Sequence, residues 1–115
     1  MKTGVKTKRK DEVEKETDRI LRSVVRIITS DYGPVERIIF FGSRARGEGN
    51  RESDFDFIII KETKERFIKR LGRVPMLPIA ADVFVYTPEE FRRMTESRNG
   101  FIKNALRGSR VIYER

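Results

Sequence analysis

The sequence contains no cysteine, no histidine and no tryptophan. Without Cys there is no disulfide framework and no thiol nucleophile, without His there is no imidazole base, and without both there is no zinc site of the usual ligand set. Any catalysis must therefore use carboxylates, hydroxyls, amines or a hard metal held by oxygen. Long apolar runs are missing as well. The most apolar stretches, Ile38 to Phe41 and Phe55 to Ile60, are too short to cross a bilayer, and the first residues lack the apolar core of a signal peptide. A cytoplasmic protein with no membrane partner is expected.

What the chain has in abundance is charge. Asp, Glu, Lys and Arg make up 38% of its 115 residues, a proportion that implies disorder only where periodic apolar segments are absent, and here they are present. The length suits one domain with one modest core. The net charge is +8, but it is unevenly placed. Residues 1–10 carry five bases and no acid, residues 92–115 carry seven bases and two acids, and residues 11–91 carry 14 bases against 16 acids. The excess belongs to the two ends. No aromatic or groove-reading motif accompanies it, so a specific nucleic-acid partner is not expected.

Residues 1–10 have no periodic apolar pattern and are expected to form a basic, flexible, solvated arm ahead of a single domain at 11–115. Val13, Ile20, Leu21, Val24, Val25, Ile27 and Ile28 recur at helical spacing from Asp11 to about Ser30, with Asp11, Glu12 and Glu14 in the first turn, and Gly33-Pro34 ends that helix. Strands are expected at Val35 to Phe41, Asp54 to Ile60 and Ile79 to Tyr86, with a last short one at Val111 to Tyr113. Residues 44–53 form a turn and loop between the first two strands. A short helix at Thr63 to Leu71 precedes the third. Thr87-Pro88-Glu89-Glu90 reads as a capping box opening a helix with Phe91 and Met94, and a further helix follows Asn99-Gly100 and stops at Gly108. The order implies an α+β fold, a small mixed sheet of three to four strands covered by helices.

One constellation carries chemistry. Strand alternation points Asp54 and Asp56 the same way, with Phe55 and Phe57 opposite. Two carboxylates on one face raise the pKa of at least one of them unless a cation lies between, and a hard cation with oxygen ligands, magnesium, resolves the conflict. Asp82 interrupts an otherwise apolar strand, where an unpaired charge is costly. If the third strand pairs beside the second, three carboxylates converge, as a two-metal site with ions about 3.5–4 Å apart requires. Gly42-Ser43, leaving the first strand, offers close backbone approach, free amides and a hydroxyl to phosphate oxygens, and Arg44 and Arg46 add charge. Each feature alone has a plain reading: Asp54 and Asp56 as a solvated strand start paired with Arg44, Arg46 or Arg51, Asp82 as an edge residue, Ser43 as a helix cap. Together they suggest nucleoside triphosphate chemistry.

Phe41-Gly42-Ser43, ten residues, then Asp54-Phe55-Asp56-Phe57 resembles the signature of the DNA polymerase beta superfamily of nucleotidyltransferases, with Asp82 where that superfamily has its third carboxylate. The short length and Gly42-Ser43-Arg44-Ala45-Arg46-Gly47-Glu48 most resemble the minimal nucleotidyltransferases, or MNT proteins, over about Val35 to Tyr113. The resemblance implies the nucleotidyltransferase fold, ATP as substrate and two magnesium ions. It further implies that Asp54 and Asp56 hold the ion carrying the triphosphate, that they hold the second together with Asp82, and that Gly42 and Ser43 bind the β and γ phosphates. No protein base is required, which suits a chain without His. It also implies a helical partner of the HEPN type, onto a Tyr of which AMP is moved, so that the chain acts as an antitoxin. A truncated enzyme of this kind needs its acceptor or a second copy of itself to complete the cleft. The alternatives are a module that neutralises a partner by contact alone and an enzyme that modifies small molecules of the aminoglycoside type.

Overall fold

The computed structural model describes residues 2–48 and 54–115. Its elements, in chain order, are helix α1 (Lys2–Asp31), strands β1 (Arg37–Phe41) and β2 (Phe55–Ile60), helix α2 (Phe67–Arg70) with a 3-10 turn (Leu71–Arg73), strand β3 (Ala81–Tyr86), helices α3 (Pro88–Glu96) and α4 (Gly100–Leu106), and strand β4 (Arg110–Glu114). The sheet order is β3-β2-β1-β4. Both neighbours of β1 run antiparallel to it, whereas β2 and β3 are parallel, so the sheet is mixed and the fold is α+β.

The apolar runs of β1 and β2 are continuous because both faces of the sheet are covered. On the first face Ile38, Phe40, Phe55, Phe57, Ile59, Val83 and Val85 pack against Leu21, Val24 and Ile28 of α1. Those three helix residues recur at three- and four-residue spacing, one stripe of the helix, and all are buried. Phe40, Phe55 and Phe57 form a triangle of rings, with Phe40 5.7 Å from each of the other two and those two 6.1 Å apart. On the second face Ile39, Phe41, Ile58, Ile60 and Tyr86 meet Ile102 and Ala105 of α4, with Phe91 and Met94 of α3 alongside.

Helix α1 starts at Lys2 rather than Asp11, so residues 2–10, expected as an arm, continue it. Apart from Gly4, that segment is built from residues a helix accepts at little cost, and Asp11, Glu12 and Glu14 therefore lie in the helix body rather than in its first turn. The capping box is present as read: the Glu90 amide donates to Thr87 Oγ1 at 3.1 Å and the Thr87 amide donates to Glu90 Oε1 at 2.8 Å. Glu90 also receives two bonds from the guanidinium of Arg70, at 2.6 and 3.1 Å. Arg70, only 5% exposed, donates further to the carbonyls of Val85 and Glu65. That network ties α2, β3 and α3 into one corner.

Candidate active site

Strand pairing builds the site. β1 runs antiparallel to β2, so its last residue, Phe41, lies opposite Asp56, and the parallel register of β2 and β3 sets Asp56 beside Asp82. The end of β1 and the beginnings of β2 and β3 thus meet along one end of the sheet, the border formed by these strand termini. Asp54 lies just ahead of β2, with Phe55 anchored by its amide to the Ala80 carbonyl at 3.1 Å. Alternation places Asp54, Asp56 and Asp82 on the face covered by α3 and α4, while Phe55 and Phe57 turn into the α1 core.

The half-buried Asp56 is the centre of this group. Burial pushes its carboxyl up, the neighbouring charges of Asp82 and then Asp54 push it further, and only Arg46 draws it down. The like-charge conflict expected from the sequence is therefore present, and one arginine does not cancel it. A divalent cation among oxygen donors would, so the donor set and its electrostatics fit magnesium. Among the described residues no three such side chains already close into a metal cluster.

Gly42 has a reason for being glycine beyond approach to a ligand. Its φ is +86°, and a Cβ built there would collide with Asp56 Oδ2 and lie 3.0 Å from Asp56 Cγ. The carboxylate rests against the bare α carbon of the turn. That turn closes through the amide of Arg46 on the Gly42 carbonyl, Gly47 on Arg44 and Glu48 on Ser43, at 3.2, 3.2 and 2.9 Å. Ser43 therefore stands at the first bend, beside the residue that touches Asp56.

The structure separates the two arginines of this turn. The guanidinium of Arg44 lies over the ring of Phe55, 4.2 Å from its centroid, and Phe55 belongs to the α1 side. Arg46 is the cation whose charge acts on Asp56, and its Nε donates to Glu48 Oε1 at 2.9 Å. The remainder of the spacer, residues 49–53 with Gly49 and Arg51, lies outside the described residues.

This arrangement is accompanied by a match over most of the chain. The family model described as polymerase beta, nucleotidyltransferase, matches residues 24–115, which contain all four strands and the carboxylate end of the sheet. The chain belongs to this family. Among relatives of the nucleotidyltransferase is a protein of Methanocaldococcus jannaschii whose inferred designation is protein adenylyltransferase. It is 28% identical over 99 residues, covering 84% of this chain and 97% of that protein. A chain in a crystal structure of a toxin–antitoxin with AMP-PNP shares the fold, with a TM-score of 0.52 and 13% identity over 83% of this chain and 73% of that one. The polymerase beta nucleotidyltransferase fold is thus carried by a chain in which Asp56 and Asp82 sit in register, with Asp54 just ahead of β2.

Two features of the nucleotidyltransferase escape sequence reading. The stacking of Arg44 on Phe55 depends on which face each residue takes. The contact of Gly108, read only as a helix stop, with the stem of Arg46 depends on β4 returning beside β1. No local spacing signals either one.

Proposed function

We propose that the protein is a magnesium-dependent adenylyltransferase that moves AMP from ATP onto a hydroxyl of a partner protein, a Tyr of a HEPN-type helical toxin, and so acts as its antitoxin. The observation that carries this reading is the register of Asp56 against Asp82 with Gly42 closed onto Asp56. Around it stand the family of the chain, the designation of its archaeal relative and the toxin–antitoxin context of a protein with the same fold.

Asp54, Asp56 and Asp82 are the residues that would hold magnesium. When bound, the metal supplies charge neutralisation of the triphosphate and a lowered pKa for the attacking hydroxyl. The chain's own residues do the rest. Gly42 and Ser43 present the first bend of the turn to the β and γ phosphates, and Arg46 adds a cation on the carboxylate side. The acceptor oxygen attacks the α phosphorus, the bond from that phosphorus to the bridging oxygen breaks, pyrophosphate leaves and the hydroxyl proton passes to solvent.

The test separates catalysis from neutralisation by contact. Asp54→Asn with Asp56→Asn preserves shape and removes two negative charges. Co-expressed with the toxin, the double variant is expected to bind it but no longer to rescue growth, and the toxin's intact mass no longer to rise by one AMP. Full rescue without the mass change would overturn the enzymatic reading and establish contact inhibition.

A further inference from the structure

Gly108 lies in the turn between α4 and β4 at φ +70°. Because Phe40 of β1 pairs with Arg110 of β4, this turn arrives beside the end of β1, where the turn carrying Arg46 begins. A Cβ at Gly108 would stand 2.6 Å from Arg46 Cγ, 3.2 Å from Cδ and 3.7 Å from Cβ. Any side chain there displaces the stem of Arg46. The turn has little freedom to yield, since the Ser109 amide and hydroxyl both donate to the Leu106 carbonyl, at 3.2 and 2.8 Å, and the Arg107 amide donates to Asn104 at 3.3 Å.

Farther along the same side chain, Nε is held by Glu48. Arg46 is thus fixed at its stem by Gly108 and at its head by Glu48, and it is only partly exposed, 29% for the side chain. A long side chain that is ordered before a ligand arrives forfeits less rotamer freedom on binding it. A guanidinium held in this way is suited to phosphate oxygens, which its planar donors match in pairs.

We propose that Gly108 is a positioning residue, whose bare α carbon seats Arg46 so that its guanidinium meets the triphosphate of the nucleotide beside Asp56. The proposal rests on the nucleotide-binding reading given above. It adds a residue from the far end of the chain to the site and explains why that helix ends in glycine rather than in another residue that tolerates positive φ.

The test is a cycle of four proteins: wild type, Gly108→Asn, Arg46→Ala and the double variant. Asn adds a Cβ but tolerates the left-handed region, so backbone strain contributes little. Equilibrium binding of ATP with magnesium is expected to weaken about tenfold in G108N and by a similar factor in R46A, with the double variant within about twofold of R46A. Wild-type affinity in G108N, or losses that multiply in full, would overturn the proposal. Thermal unfolding of the same four proteins without nucleotide is expected to show G108N costing stability in the wild-type background and little in the R46A background, and equal losses in both would overturn the seat. If G108N does not fold, recovery of folding in the double variant supports the contact and failure to recover refutes it. Wild-type protein that binds no ATP with magnesium would sink the nucleotide reading, while the unfolding cycle would still decide whether the seat exists.

Discussion

A carboxylate resting on a glycine is the smallest unit of this molecule's chemistry. Asp56 is half-buried, flanked by two like charges and pressed against the α carbon of Gly42, so its position is set by packing before any ligand enters. Gly42→Ala therefore meets two obstacles, a positive φ that disfavours an L side chain and a collision with Asp56 Oδ2. Overpacking of this kind typically costs about 1–3 kcal/mol. Urea denaturation of Gly42→Ala should show a loss of that size, together with loss of ATP binding, and a cost below about 0.5 kcal/mol would contradict the contact. Asp82 and Asp54 differ from Asp56 in lying exposed, the former on edge strand β3, so their side chains have more freedom to move than that of Asp56.

At the scale of elements, one corner depends on Thr87, Glu90 and Arg70. Thr87→Ala removes the acceptor for the Glu90 amide and should destabilise the protein by about 1 kcal/mol in thermal or urea unfolding. Glu90 is held below its usual value of 4.5, first by the hydrogen bond from Arg70 and against the opposing effect of burial. A folded-state pKa lower than the unfolded one means that the unfolded chain binds the extra proton. The pair's contribution is therefore complete above the unfolded value and is lost as pH falls through the lower folded value. Unfolding midpoints recorded from neutral pH downward should decline less steeply below about pH 4.5 in Glu90→Gln than in wild type. An identical decline would place the acid sensitivity elsewhere. The capping box was legible in the sequence because it is local, four consecutive residues with a fixed geometry. So were the helical stripe of Leu21, Val24 and Ile28 and the two apolar strands around the acids. The start of α1 was not legible, because basic residues that read as a solvated arm are also good helix formers. The register that brings Asp82 to Asp56, and the return of β4 that brings Gly108 to Arg46, are long-range pairings with no local signal. In the sequence the first is visible only as a condition on strand pairing, and the second not at all.

For the whole molecule, the absence of His and Cys leaves carboxylates, hydroxyls, amines or a hard metal as the available chemistry, and the fold brings Asp56 beside Asp82 at one end of the sheet. The basic excess of the C-terminal region is engaged in part within the protein: Arg92 pairs with Glu96, Arg93 with Glu89 and Arg110 with Asp18. The net charge of +8 therefore acts as a general field around an acidic centre, one that favours approach of a polyanionic nucleotide and is weakened by salt. The proposed activity at these carboxylates is the transfer of a nucleoside monophosphate. That transfer is read by incubating the purified protein and the proposed toxin partner with magnesium and ATP labelled either at the α or at the γ phosphate, then measuring label on that partner. The α label is expected on that partner and the γ label is not, with transfer reduced about 100-fold or more in Asp56→Asn. Transfer of γ label, or α transfer undiminished in Asp56→Asn, would contradict the proposed activity.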